Sequence, residues 1–381
     1  MLVPFVDLAV HDPEQRRVLL QAVDAVLQRG DYVLGAEVDA FERDFAGYCG
    51  ARHAIGVSSG TTALVLALRA LGVGPGDEVI TVANSFLSTV SAILLAGARP
   101  VLVDVGDDEF IDAQAVRAAL TPATRAVIPV HLRGLPGRMS ALVDLATERG
   151  IHLVEDASQA QGARAGGRHV GTFSDVGCFS LHPLKNLPSV GDSGVMITDD
   201  DALADRLRSL RNHGLADRGF TIEVGDNARL DTVQASVLRV RLRTLDEAND
   251  RRRRIAQVYD EAFAELPVTL PAAGDDVHRV QHVYHHYVLQ VPDRPALLES
   301  MEPAGIDVRV HYPVTADRQP AFEGLVSVPE PLTRTWAQAE RIVSLPCNPA
   351  LTDEQVGLVV TAVRGHYASA ATVPSASPES H

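Results

Sequence analysis

The chain has few of the features that mark secreted or membrane-bound proteins. It has three cysteines in 381 residues, an odd number with no CxxC pair, so we expect reduced thiols in a cytoplasmic protein. The start, MLVPFVDLAVHDPEQRR, lacks the basic residues and apolar run of a signal peptide. No apolar stretch approaches the roughly 20 residues of a membrane span, so no membrane partner is expected.

Positive charge is also scarce. The chain has 34 Lys and Arg against 49 Asp and Glu, a formal net charge of −15 at pH 7. Because phosphate backbones are bound by basic surfaces, this balance argues against a nucleic-acid partner. One basic run, Arg251–Arg254, falls in a helical pattern and is most simply a solvated face.

Common nucleotide and metal signatures are absent. Neither GxxxxGK[ST] nor GxGxxG occurs, which disfavours ATP and NAD as ligands. There is no GxSxG, and no His, Cys and carboxylate cluster has metal-ligand spacing, so no metal is expected.

A regular alternation of strand and helix patterns is present instead. Apolar strand candidates cover 54–57, 78–81, 100–105, 125–130 and 151–156, with amphipathic helical stretches near 61–71, 87–96, 113–120 and 138–149. This pattern predicts an α/β fold with a mostly parallel sheet covered by helices. We predict a large domain over 1–249, a smaller α+β domain over 250–369, and a disordered tail over 370–381.

Two side chains at predicted strand ends point to cofactor chemistry. Lys185 follows the apolar segment VGCFSL, and Asp156 ends IHLVED, twenty-nine residues earlier. Ligands of such sheets lie at the carboxyl ends of the strands. A lysine amine there can form a Schiff base with an aldehyde, and a carboxylate can pair with a protonated pyridine nitrogen. A surface lysine and a helix N-cap aspartate are the alternative interpretations.

A further turn could hold a phosphate. Ser58-Ser59-Gly60-Thr61-Thr62 follows a strand and opens an apolar helix, so its N–H groups and hydroxyls could bind an anion without a lysine. A simple capped helix start is the alternative. Phe86 could be a core residue or a stacking ring, and Asn227 and Arg229 could be helix caps or anion contacts. Gln159 would lie one helical turn past Asp156 if a helix begins there.

Taken in order, SSGTTAL, EDASQAQGA, CFSLHPLKNLPSVGDSG, RNHGL, GDNARLDTVQA and VHYP strongly resemble the DegT/DnrJ/StrS group of sugar aminotransferases. The resemblance spans roughly 5–365. It implies the type I fold of aspartate aminotransferase, with a large domain that binds pyridoxal 5′-phosphate and a smaller C-terminal domain. It also implies a homodimer with shared active sites.

The resemblance assigns a role to each site residue. Lys185 would bind the cofactor covalently and later move the proton, and Asp156 would pair with the pyridine nitrogen. Phe86 would stack on one ring face and Gln159 lie against the other. The remaining assignments concern the phosphate: Thr61, Thr62 and Ser180 would hold it, Gly60 would allow close approach, and Asn227 would reach the phosphate bound by the partner subunit.

The implied reaction moves an amino group from an amino acid, usually glutamate, to a ketone on a sugar or cyclitol. Two alternatives remain: a pyridoxal-phosphate dehydratase or lyase, whose members tend to have histidine at the lysine position, and a non-enzymatic regulator with the same fold. Three positions depart from the family pattern: Ser193 replaces a glycine, Asp317 stands where histidine is common, and Gln290 where arginine is frequent. We expect the last two to lie near the substrate and to favour an acceptor without a pyrophosphate.

Overall fold

A computed structural model describes residues 3–217, 219–272 and 280–371. These residues form thirteen strands: β1 His53–Val57, β2 Glu78–Val82, β3 Arg99–Val103, β4 Thr124–Val127, β5 His152–Asp156, β6 Arg164–Ala165, β7 Arg168–His169, β8 Val176–Ser180, β9 Gly194–Thr198, β10 Leu215–Asp217, β11 Phe220–Thr221, β12 Tyr287–Gln290 and β13 Ile342–Leu345. The helices are α1 Pro13–Arg29, α2 Ala36–Cys49, α3 Gly60–Ala70, α4 Leu87–Leu95, α5 Ala113–Ala119, α6 Ser140–Arg149, α7 Asp201–Leu210, α8 Thr232–Leu242, α9 Leu245–Phe263, α10 Arg294–Met301, α11 Thr333–Arg341 and α12 Asp353–Ala371.

Seven strands form one sheet in the order β1-β9-β8-β5-β4-β2-β3. The pairs from β8 to β3 are parallel, and β9 runs antiparallel to both of its neighbours. Most residues of these strands are buried, because helices cover both faces of the sheet. This is the predicted α/β architecture. It places the carboxyl ends of β2, β5 and β8 at one edge.

The helices begin and end where their sequences dictate. Asp12 caps α1 by accepting a hydrogen bond from the Glu14 N–H, and Gly30 ends the helix with a φ of 72°. In α2, Val38, Phe41 and Phe45 form an apolar stripe at helical spacing and are buried. Local sequence signals therefore account for both N-terminal helices.

The C-terminal elements pack around a second core. It joins α9, α10 and α12 to the two-stranded sheet of β12 and β13, with Tyr259, Phe263 and Tyr287 among its buried side chains. Val3 also lies in this core and pairs with Ile306, although the predicted large domain includes it. The boundary at 249/250 falls inside α9 and stays a prediction.

The later helices and the cysteines complete the description of the fold. The helices α8 and α9 are separated at Arg243–Thr244, and α9 contains the basic run Arg251–Arg254. The helix α12 extends through Ala371, and the predicted tail beyond it lies outside the described residues. All three cysteines are buried and free of disulfides. Within the described ranges, no helix has the length and apolar character needed to cross a membrane.

Candidate active site

A pocket of about 390 Å³ lies at the carboxyl edge of the main sheet. The ends of β5 and β8, the loop after β8, and the first turns of α3 and α4 surround it. Seven of the nine residues predicted for the site line this pocket: Gly60, Thr61, Phe86, Asp156, Gln159, Ser180 and Lys185. Residues far apart in the sequence therefore meet in one cavity.

Lys185 lies in the loop between β8 and β9. Its backbone N–H donates to the His182 carbonyl at 2.8 Å, which fixes the loop. Within the described part of the chain, its side-chain amine has no hydrogen bond or ion pair. Burial lowers the pKa of Lys185 to about 8, although the nearby Asp156 carboxylate acts in the opposite direction. The amine can therefore lose its proton near neutral pH, as a nucleophile must.

Asp156 ends β5 and is 4% exposed. Its Oδ2 accepts a hydrogen bond from the Thr89 hydroxyl at 2.8 Å, and its Oδ1 accepts one from the Ser158 N–H at 3.1 Å. The residues that follow form a turn rather than a helix, so Asp156 is not a helix N-cap. Each oxygen keeps acceptor capacity for a donor in the pocket.

Thr89 ends the stretch 84–89 that follows the strand candidate 78–81, and no individual role is predicted for it from the sequence. It is buried in the first turn of α4, where it shares a 2.7 Å hydrogen bond with Ser85. The chain of Ser85, Thr89 and Asp156 holds the carboxylate in one orientation. No sequence signal links Thr89 to Asp156, because they lie 67 positions apart and a helical threonine is usually unremarkable.

The turn before α3 has the geometry of an anion site. Ser59 caps the helix by accepting a hydrogen bond from the Thr62 N–H at 3.0 Å. Gly60 and Thr61 line the pocket, and their N–H groups have no acceptor within the helix. A Cβ on Gly60 would lie 2.7 Å from the Ser180 Cβ, so only glycine allows this approach. The capped helix start and the candidate phosphate site are the same structure.

Phe86 and Gln159 are held differently. The Phe86 ring is 48% exposed and lies 5.4 Å from the Tyr312 ring, measured between centroids. Gln159 is buried, accepts from the Arg133 N–H at 2.7 Å and donates to the Tyr312 hydroxyl at 3.2 Å. Both line the pocket, and their predicted positions on opposite faces of a ring stay a prediction.

Two predicted residues do not line the pocket. The Thr62 hydroxyl points to the cap, where it hydrogen-bonds to Ser59 at 2.8 Å. Asn227 is exposed beside the hairpin of β10 and β11, and its backbone pairs with Asn212. Arg229 donates to the Asn212 side chain and caps no helix. The predicted role of Asn227 concerns a partner subunit and is untested within one chain.

A group of aromatic side chains completes the wall. His285, His286 and His311 stack in series, with ring centroids 4.1 Å and 3.9 Å apart, and Tyr312 follows. Burial lowers the pKa of all three histidines, to about 4 for His311, so their rings are neutral. Of these three histidines, only His311 belongs to a motif singled out in the sequence, VHYP. The adjacent pair His285 and His286 before β12 was not predicted to belong to the site.

The three departures from the family pattern have different environments. Ser193 lines the pocket, where its buried hydroxyl donates to the Asp192 carbonyl at 2.6 Å. Asp317 accepts from the Trp336 indole at 2.9 Å, and Gln290 donates to Glu109 at 2.8 Å in a separate cavity. Neither Asp317 nor Gln290 lines the pocket. The expectation that they lie near the substrate stays a prediction.

Residues 13–364 match the DegT/DnrJ/EryC1/StrS aminotransferase family. The chain is 43% identical over 364 residues to a dTDP-3-amino-3,4,6-trideoxy-alpha-D-glucose transaminase of Streptomyces venezuelae, covering 95% of each chain. It is 40% identical to a UDP-N-acetyl-3-dehydro-alpha-D-glucosamine 3-aminotransferase of Acidithiobacillus ferrooxidans, covering 95% of this chain and 97% of that one. The solved structure of Streptomyces venezuelae DesV matches with a TM-score of 0.92 at 42% identity, covering 95% and 98% of the two chains.

These similarities define an aminotransferase with the type I fold. The chain belongs to the DegT/DnrJ/EryC1/StrS aminotransferase family, and its cofactor is pyridoxal phosphate. The pocket fits that cofactor. Its free lysine amine, its strand-end carboxylate and the close approach at Gly60 supply partners for an aldehyde, a pyridine nitrogen and a phosphate.

Proposed function

We propose that this enzyme transfers the amino group of glutamate or glutamine to a keto group of a nucleotide-linked sugar, in cytoplasmic amino-sugar biosynthesis. The presence of Lys185 and Asp156 in one pocket is the observation that supports amine transfer most directly. The named activities of the relatives support a sugar nucleotide as acceptor. Asp317 and Gln290 line no part of this pocket and hydrogen-bond to Trp336 and Glu109, so they do not outweigh this support.

Each residue has a distinct task in this proposal. Bound pyridoxal phosphate supplies an electron sink that stabilises negative charge on the carbon losing its proton. Asp156 would keep the pyridine nitrogen protonated, with its carboxylate oriented by Thr89. The Nζ of Lys185 would take the proton from the donor carbon and return it to a neighbouring carbon, which requires a pKa near the working pH.

The phosphate would be held without a lysine. The N–H groups at the start of α3 and the hydroxyls of Thr61 and Ser180 belong to residues that line the pocket and would donate to the phosphate. The Thr61 hydroxyl donates to Ser88 at 2.9 Å, so it can reorient toward an anion. The assignment of Thr62 to the phosphate stays a prediction, because its N–H and its hydroxyl both hydrogen-bond to the Ser59 side chain.

We also propose a homodimer whose active sites lie at the interface. Phe220, Ile222 and Val224 are 71%, 69% and 89% exposed on one short segment. Such exposed apolar side chains in sequence are typical of an interaction surface. Asn227 follows them directly and is the residue expected to reach the partner subunit's cofactor.

The half-reactions provide the test. The holoenzyme is incubated with glutamate or glutamine alone, and the visible absorbance should convert to that of the aminated cofactor. Keto-sugars linked to dTDP or UDP, free keto-sugars and keto-cyclitols are then added, and the amine product is identified by mass. The Lys185→Ala variant should show neither conversion nor product. If no amino acid changes the absorbance while a sugar alone is turned over, the enzyme is a dehydratase or lyase.

A further inference from the structure

A second cavity of about 250 Å³ lies directly behind the wall of the active-site pocket. The two cavities share four lining residues: Leu184, His285, His286 and His311. The far side of the second cavity is formed by the segment at Phe5 and by the C-terminal elements. A group in the pocket would therefore need to pass only this wall to reach the second cavity.

The two cavities differ in charge. Among the described residues that line the active-site pocket, Lys185 is the one lysine or arginine, while Asp156 and Asp192 are both acidic. Arg252 and Arg309 line the second cavity. Arg309 is exposed and pairs with Asp307 at 2.8 Å. Asp307 also lines the second cavity, so its lining has two arginines and one carboxylate, whereas the active-site pocket has one lysine and two carboxylates.

Arg252 is a buried cation without a carboxylate partner in the described ranges. It is 8% exposed, and its Nη1 donates to the carbonyls of Tyr284, His285 and Cys347. Carbonyl oxygens compensate part of the cost of burying the charge but do not neutralise it. The cavity beside Arg252 is consequently favourable for an anion.

His286 forms the centre of the shared wall. Its ring stacks between those of His285 and His311, and its buried Nδ1 has no hydrogen-bond partner in the described part of the chain. A buried polar atom without a partner costs about 1–3 kcal/mol. A ligand that accepts a hydrogen bond from this imidazole would remove part of that cost.

We propose that this second cavity, lined by Arg252, Arg309 and His286, is a subsite for the distal carboxylate of a dicarboxylic amino donor. The inference rests on the proposed amine transfer and specifies where the donor binds. The cavity volume lies below the roughly 300–1,000 Å³ typical of pockets for whole ligands. It has room for a short carboxylate arm rather than for a nucleoside diphosphate.

The test measures binding of glutarate, which has two carboxylates and no amine, to the pyridoxal-phosphate-loaded enzyme, with pentanoate as the monocarboxylate comparison. Arg252→Gln keeps an amide donor but removes the charge, and His286→Leu removes the ring donor. We expect each to weaken glutarate binding about tenfold or more and to leave pentanoate binding unchanged. Arg254→Met, exposed on the same helix, is the matched control and should bind glutarate normally.

Cofactor absorbance and thermal unfolding establish that each variant is folded. If Arg252→Gln does not fold, Arg309→Gln replaces it, since Arg309 is largely exposed. Unchanged glutarate affinity in the folded variants would overturn the subsite, as would a loss of affinity for dTDP or UDP in place of glutarate. Amine transfer by the unmodified enzyme is measured separately. If the unmodified enzyme transfers amines and the variants bind glutarate normally, only the subsite proposal is contradicted. If the unmodified enzyme transfers no amine to any keto compound, the proposed function is contradicted.

Discussion

The reactivity of Lys185 follows from the position of its amine. Burial lowers its pKa to about 8, and the free base is the form that attacks an aldehyde. We expect covalent loading of the apoenzyme with pyridoxal phosphate to accelerate as pH rises toward 8 and then to level off. Stopped-flow absorbance across this range measures it. A rate independent of pH between 6 and about 9 would contradict the assignment.

The same burial makes Lys185 costly for the folded apoenzyme. Its pKa is lower in the folded state than the ordinary value of 10.5, so the unfolded state binds more protons between about pH 8 and that value. Stability should therefore rise with pH in this window. Lys185→Met should stabilise the apoenzyme at pH 7 by on the order of 1 kcal/mol, with the gain disappearing near pH 10.5. Urea unfolding at both pH values tests the sign.

Asp156 is expected to act through its charge. Asp156→Asn keeps the size of the side chain and its contact with Thr89 but cannot stabilise a protonated ring nitrogen. We expect the glutamate half-reaction to slow by at least about a hundredfold. Asp192→Asn, which alters an exposed carboxylate at the same pocket, is the control and should have a much smaller effect. Equal losses in both variants would indicate a general electrostatic effect.

Lys185 and Asp156 could be predicted from the sequence, but the residues that position them could not. Asp156 ends an apolar strand, and Lys185 lies in the loop that follows another. The carboxyl ends of parallel strands lie at the same edge of a sheet. Thr89, His285 and His286 belong to other elements and have ordinary local environments. Their contact with the site depends on how α4 and the segment before β12 pack, and one sequence does not encode that packing locally.

At the scale of elements, the distance between α3 and β8 depends on a single missing side chain. Gly60→Ala would place a Cβ 2.7 Å from the Ser180 Cβ and 3.0 Å from its Cα, so the helix start must move away from the strand. We expect cofactor affinity to fall at least about tenfold, because the anion-binding N–H groups move together. Equilibrium dialysis of pyridoxal phosphate measures this change.

Gly357→Ala provides the matched control for that helix change. Gly357 lies inside α12, and nothing is within 4 Å of the Cβ it would gain. Since alanine is favoured over glycine in a helix, this variant should be more stable by about 0.5–1 kcal/mol and bind cofactor normally. Normal cofactor affinity in Gly60→Ala would mean that the phosphate is held elsewhere.

The order of the strands in the sheet could not be predicted from this sequence. The apolar run of β9 fits a buried strand of either direction, so its position between β1 and β8 was not predicted. The short loop of 181–193 favours an antiparallel return, because a parallel crossover usually needs a helix. That loop carries Lys185, and the reversal keeps it at the edge where the other site residues lie.

For the whole molecule, the exposed segment after β10 is the feature that a single chain leaves unexplained. We expect Phe220, Ile222 and Val224 to be covered in a dimer. Replacing all three by serine should weaken dimerisation at least about a hundredfold, since each buried apolar side chain contributes roughly 1.5–3 kcal/mol. The monomer fold should be unaffected, because these side chains are exposed. Sedimentation over a range of concentrations measures the change, with Leu358→Ser, on α12, as the control. If the active sites are shared, the triple variant should lose cofactor affinity as its dimer dissociates. A variant that dimerises normally, or a wild-type monomer with full activity, would contradict the shared-site proposal.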